Sequence, residues 1–181
     1  MTLSDWGRVH KGLPARAAPG LERITGRVLG ALNDLDPHPG LAHRAALQAG
    51  DLLLATYTLP LRAAVVPTTL IGRTADENLH VICPHPPGGD RPELSSDYVC
   101  CYLRSHLTQL ALAPHYRTVH GTPCLSSEAL KTLTIPVIAP GKQRALVALK
   151  KAHDDLKQAA LEELEARSDY IELIFSRSPE E

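Results

Sequence analysis

Residues 115–120 read His-Tyr-Arg-Thr-Val-His, which puts one Arg, one Tyr, one Thr and two His into six positions. These types suit nucleic acid. The Arg117 guanidinium can fork onto a guanine edge or hold a phosphate, Thr118 can donate to a phosphate, and Tyr116 offers a flat face and a hydroxyl between His115 and His120. One short segment of this kind is a weak signal by itself, because phosphate binding takes several such groups together. Further cations come from residues 1–27, where Arg8, Lys11, Arg16, Arg23 and Arg27 outnumber Asp5 and Glu22. Of these, Lys11 and Arg16 join the candidate set, with Arg62 at the head of a predicted strand. The 181-residue chain carries a net charge of −1, so any nucleic-acid surface must be a local patch.

Other chemistries find less support. Asp51 follows a glycine, where an Asp side chain bonds nearby backbone amides, and turn capping is the better reading than general acid. Cys83, Cys100, Cys101 and Cys124 contain no CxxC pair, and adjacent cysteines rarely ligate one tetrahedral ion, so no metal or other cofactor is expected. They read as reduced, mostly buried thiols of a cytoplasmic protein. The first ten residues are polar, no apolar run reaches the roughly 20 residues of a membrane span, and neither a signal peptide nor a membrane partner is expected. There is no phosphate-cradling GxxxxGK[ST] and no GxSxG elbow.

A chain of this length has room for one domain plus an appendage. With aromatic residues at 4%, its core must be aliphatic. Trp6 is expected to anchor an otherwise irregular stretch, residues 1–27, and residues 24–32 to include the first strand. Residues 33–40, rich in Asn, Asp, Pro and Gly, form a turn-rich loop. Gly50-Asp51 is a tight turn feeding an apolar strand, residues 62–66 its partner beyond Leu59-Pro60, and residues 79–83 a further strand. Residues 84–92 are a loop by composition. Ser95 or Ser96 caps one helix of residues 96–110 that Pro114 ends, with Val99, Tyr102, Leu103, His106, Leu107 and Leu110 at helical spacing. After the polar loop with Gly121 and Pro123, Ser126 or Ser127 caps a short helix carrying Leu130 and Leu133. Residues 135–138 are extended, an edge strand or a strand only in part because Pro136 lacks a ladder donor. From Lys142 the pattern is helical for about nine turns. Leu146, Leu149, His153, Leu156, Ala160, Leu164, Ser168, Ile171 and Phe175 form one stripe, and the successive four-residue steps around Ala160 suit a near-straight coil. Six cations and seven anions over residues 142–175 mark that helix as solvated or partner-facing.

The run Gly121-Thr122, Leu125-Ser126, Leu130, Leu133, Ile135-Pro136 and Gln143, leading into a long helix, resembles the end of a target recognition domain from the specificity subunit of a type I restriction-modification system. Leu47, Gly50, Asp51, Leu52 and Leu53, followed by the Ala-Val-Val strand, match the family's L-x-x-G-D-L-L signature. The Tyr98 to Ser105 helix matches its Y-x-x-x-Y-L-x-S segment. Lys142, where the family tends to be acidic, and Cys124, where it is small or polar, depart from the pattern.

The resemblance implies an α+β fold, a target-recognition-type domain over residues 1–140 with a twisted, mostly antiparallel sheet and short helices. A single long coiled-coil helix follows at residues 141–176, then a frayed tail at 177–181. It implies a half-length, non-catalytic DNA-reading subunit whose partners are double-stranded DNA, a methyltransferase subunit and a motor-nuclease subunit. A homodimer is expected through Leu146, Leu149, His153, Leu156, Ala160, Leu164 and Ile171. In agreement, the Asn/Asp-Pro-Pro-aromatic motif of an adenine methyltransferase is absent, since His85-Pro86-Pro87-Gly88 lacks both the amide or carboxylate and the aromatic. The alternative is a scaffold that keeps this fold and assembles a defence complex without reading bases, which the lack of net positive charge favours.

Overall fold

A computed structural model describes residues 1–13, 23–25, 29, 46–86, 88 and 92–176. Arg16, Arg27, the 33–40 loop and the 177–181 tail therefore lie outside the described residues. The chain divides into two units, Met1–Gln143 and Arg144–Glu181.

The first unit is organised by a four-stranded antiparallel sheet. Its strands are β1 (Gly7–Lys11), β3 (Leu52–Ala55), β4 (Arg62–Val65) and β6 (Leu79–Pro84), in the order β1-β6-β3-β4. The two central strands are apolar almost without interruption because both faces are covered. Leu53, Ala55, Leu79 and Val81 face a cluster with Ile24, Leu47, Val66, Leu70 and Ala75. This side also carries the short parallel pair β2 (Arg23–Ile24) and β5 (Thr74–Ala75). By the two-residue period, Leu52, Leu54, His80 and Ile82 face the other side. The other buried side chains include Val99 and Leu103 of α2 (Ser96–Leu103), Leu112 of α3 (His106–Leu112) and Leu130 of α4 (Ser127–Thr132).

The strands expected after Gly50-Asp51, at 62–66 and at 79–83 are present as Leu52–Ala55, Arg62–Val65 and Leu79–Pro84, as are the Ser95 and Ser126 caps. The expected extended segment before the long helix makes one bridge, Thr134 to Thr2, and is a strand only in part. Trp6 is buried and its indole Nε1 donates to Leu94 O at 2.9 Å.

Three expectations are corrected. Residues 3–11 are not irregular, and the first strand precedes residue 24. Thr2 and Asp5 form a capping box for the one-turn helix α1 (Leu3–Trp6), which runs straight into β1 at the sheet edge. The expected helix of residues 96–110 is two helices. Ser105 breaks it, its hydroxyl capping α3 by accepting from Thr108 N. The loop around residues 115–120 is a β-hairpin, β7 (Tyr116–Val119) with β8 (Thr122–Leu125).

Gly12, just past β1, donates its N–H to Leu79 O at 2.9 Å, and an added Cβ there would sit 2.1 Å from Asp76 O. The backbones touch, and only glycine fits. Gly12→Ala is expected to destabilise the first unit by about 1 to 3 kcal/mol, as overpacking does. A denaturant titration returning the wild-type midpoint would show that this approach relaxes freely.

Candidate nucleic-acid interface

The strand registers decide which residues share an end of the sheet. Lys11 pairs with His80, Ala55 with both Leu79 and Arg62. Lys11 and Arg62 therefore lie at the same end, on opposite faces, and residues 56–61 form the loop that links β3 to β4 there. The hairpin is attached to this loop. Leu125 N donates to Thr56 O at 2.9 Å, and the Tyr116 hydroxyl donates to Thr58 O at 3.2 Å. Helix α3 holds the far side, with Gln109 Oε1 accepting from Leu61 N at 2.8 Å and Nε2 donating to Leu61 O at 3.3 Å. Lys11 Nζ lies 6.0 Å from the centre of the Tyr57 ring, within cation–π reach. Lys11, Arg62 and Arg117 are thus brought round one loop, and among the described residues none of the three has a carboxylate within ion-pair distance.

The hairpin is tight. Val119 pairs with Thr122, leaving His120 and Gly121 as a two-residue turn with φ of 49° and 78°. Positive φ at both positions is what the type I′ turn of such hairpins demands. Alternation along β7 puts Tyr116 and Thr118 on one side and Arg117 and Val119 on the other. Arg117, Thr118, His115 and His120 are exposed. Tyr116 is half-buried and its hydroxyl is engaged by Thr58, so this residue braces the hairpin instead of offering a free hydroxyl. Burial raises its pKa.

His80 was not legible as a site residue. It is 1% exposed as the second residue of β6, with Nδ1 3.0 Å from Thr56 Oγ1 and Nε2 2.7 Å from Ser127 Oγ. It joins the central strand to the loop and to the first residue of α4, just beyond the hairpin. Burial, then the charges of Lys11 and His10, pulls its pKa down from 6.5 to about 4, so the ring is neutral near pH 7. The one clue in the sequence was a lone histidine inside the apolar run Leu79-His-Val-Ile82.

Asp51 behaves as a turn cap, its Oδ2 accepting from Gln48 N at 2.9 Å. Cys100 is buried and the other three cysteines are half-buried, and none of them forms a disulfide. Burial pushes Cys83 to about 11 and Cys100 to about 12, so neither is a thiolate near neutral pH. Among the described residues no group of three or more His, Cys, Asp or Glu is placed to hold a metal ion. No described helix is long and apolar enough to cross a membrane.

The helix α5 (Pro140–Ser176) is 37 residues long, and all of it from Arg144 on belongs to the second unit. Its start is fixed within the first unit by Gln143, 2% exposed, whose Oε1 accepts from Ser95 N while Nε2 donates to Glu93 O and Ile138 O, all at 2.8 to 2.9 Å. Leu146, Leu149, Leu156, Leu164, Ile171 and Phe175 of the stripe are exposed, as are His153 and Ala160.

Solved structures that share this fold include the following two. A chain from a type I R-M system, solved for its complex assembly and conformational transition, matches with a TM-score of 0.58 at 20% identity, over 94% of this chain and 41% of that one. The HsdS subunit from Thermoanaerobacter tengcongensis matches with a TM-score of 0.60 at 17% identity, over 96% of this chain and 46% of that one. This chain therefore spans less than half the length of either, and the likeness is one of fold. No protein-family model and no curated protein matches it.

The buried neutral His80 sets a pH dependence. Its folded pKa lies below its unfolded one, so the unfolded state binds the extra proton. Stability from this group is complete above pH 6.5, falls between pH 6.5 and about 4, and is level below that. The loss is on the order of 3 kcal/mol. The stability difference between the wild type and His80→Gln should follow that course across the window. A difference that is flat with pH would mean that the ring accepts a proton in the folded state at little cost.

Proposed function

We propose that this chain is a non-catalytic DNA-reading subunit of a type I-like restriction-modification or related phage-defence system, working in the cytoplasm. The observation that carries the reading is that Lys11 and Arg62 lie at one end of the sheet, at the loop to which the hairpin of Arg117 is bonded, in a fold shared with a specificity subunit. A two-stranded ribbon fits the major groove. In the proposed complex Arg117 reads a base edge or holds a phosphate, Thr118, His115 and His120 meet the backbone, and Lys11, Arg62 and Arg16 add cations. Tyr116 supports the ribbon from below.

The reading includes a half-length architecture, one recognition domain and one spacer helix on residues 141–176, with a methyltransferase subunit and a motor-nuclease subunit as partners. The exposed stripe on α5 supports a coiled-coil homodimer. Each large aliphatic side chain on it gains roughly 1.5 to 3 kcal/mol on full burial, and two-fold pairing is the common solution. Charge gives the pair a direction. Residues 142–157 carry five cations and two anions, whereas residues 158–176 carry one cation and five anions. Antiparallel pairing sets the net +3 half against the net −4 half, and parallel pairing sets like against like. Over 37 residues, about 55 Å at 1.5 Å per residue, such a pair holds two reading ends apart.

The net charge of −1 favours a second reading, a scaffold that assembles the complex without contacting bases. Duplex binding separates the two. Arg117→Ala is expected to weaken binding and, if a phosphate contact is lost, to lower the log-log salt slope by about 0.9. If a guanine contact is lost instead, the deficit is about 1 to 3 kcal/mol at one base position. Equal affinity and slope in wild type and variant would remove Arg117 from the site, and no duplex binding by the wild type would favour the scaffold. For the helix, light scattering should report a dimer for the wild type and a monomer for Leu156→Asp. A wild-type monomer at tens of micromolar would assign the stripe to another subunit.

A further inference from the structure

The loop between β3 and β4 is held unusually firmly for a surface connection. Four of its backbone atoms are fixed from outside, Thr56 O by Leu125, Thr58 O by Tyr116, and Leu61 N and O by Gln109. The Thr58 hydroxyl closes it from within, donating to Ala55 O at 2.9 Å and lying 3.1 Å from Pro60 O. What this frame presents is apolar. Leu59 is 61% exposed and Pro60 beside it is exposed too. A single exposed leucine is ordinary on a protein surface. This one differs in two respects: the backbone on both sides of it, at Thr58 and Leu61, is bonded from outside, and its loop lies at the end of the sheet that carries Lys11 and Arg62 and is bonded to the hairpin that carries Arg117, cations whose charge draws a polyanion.

A polyanion that also offers apolar contact is duplex DNA, through the thymine 5-methyl group in the major groove. We propose that Leu59 contacts a thymine methyl group and so specifies an A·T pair near the base read by Arg117. This rests on the DNA-reading function above and adds to it a residue with no hydrogen-bonding capacity. The division of labour is chemical: Arg117 supplies donors, and Leu59 supplies shape and exclusion of water from the methyl group. Because Thr58 O is bonded to Tyr116, the neighbour of Arg117, the two readers hold a fixed spacing.

The test uses the full chain and a pool of randomised 20-base-pair duplexes, from which the wild type selects its preferred sequence. Each thymine of that sequence is then replaced in turn by uracil, which lacks only the methyl group. The wild type should lose about fourfold in affinity at one position, the factor corresponding to roughly 0.8 kcal/mol for a methyl group leaving water. Leu59→Ala should bind the thymine and uracil duplexes of that position alike, with its melting temperature and salt slope unchanged. Leu59→Met, which keeps the volume, should retain most of the preference. A Leu59→Ala protein that discriminates thymine from uracil as the wild type does overturns the proposal, and so does a wild type indifferent to uracil at every position. Both outcomes leave the DNA-reading function standing. Failure of the wild type to select any sequence overturns both.

Discussion

The pairing of β3 with β6 constrains everything else in the first unit. Both strands are buried on both faces, so a slip of one residue would carry Leu53, Val81 and Leu79 from one apolar layer into the other and turn His80 away from Thr56 and Ser127. The register of that pair fixes where β3 ends and where β4 and β1 can pair. It thereby determines that Lys11, Arg62 and the 56–61 loop meet at one end. His80 is the polar exception in this apolar pair, accommodated because both ring nitrogens have hydroxyl partners.

Elsewhere the unit relies on single polar side chains that satisfy backbone groups of distant segments. Gln143 ties residues 93–95 and 138 to the first turn of α5, Gln109 ties α3 to the loop at Leu61, and Trp6 ties the N-terminal helix to Leu94. A side-chain amide is well suited to this, since it carries donors and an acceptor on one rigid plane and needs no counter-charge. A buried amide left without these partners would carry the full cost of an unsatisfied polar group, so the three segments that meet at Gln143 stand or fall together.

The sequence disclosed the parts whose signal is local and strong. Leu52-Leu-Leu54 and Leu79-His-Val-Ile82 are apolar runs bounded by turns, Ser95 and Ser126 stand where caps belong, and the α5 stripe repeats at close to 3.6 residues. What stayed hidden has physical reasons. Strand β1, Gly-Arg-Val-His-Lys, is an edge strand with half its side chains solvated, so it lacks an apolar period, although Thr2 and Asp5 had the spacing of a capping box. The break at Ser105 lies inside a pattern that reads as helical straight through it, yet beyond the break His106, Leu107 and Leu110 of that pattern are exposed and α3 buries Thr108 and Leu112 instead. The hairpin carried a usable sign, Gly121 at the second position of a two-residue turn, masked by the non-glycine His120 at the first. Candidate residues chosen by chemical type alone divided accordingly. Register puts Arg62 and Lys11 at one end of the sheet on opposite faces, hydrogen bonds tie the hairpin of Arg117 to the loop there, Tyr116 is a brace, and Leu59, having no polar chemistry, could be noticed only once its exposure and bracing were known.

The bracing of residues 56–61 acts almost wholly on main-chain atoms: three carbonyls and one amide that every residue other than proline supplies. The side chains at positions 57 and 59 contribute nothing to those bonds. Such a platform separates the identity of the presented group from the integrity of the scaffold that presents it. Lineages descended from this chain could therefore explore different residues at the tip one at a time, each step nearly neutral for folding, while substitutions at Gln109 or Tyr116 would be selected against whatever the tip happened to be.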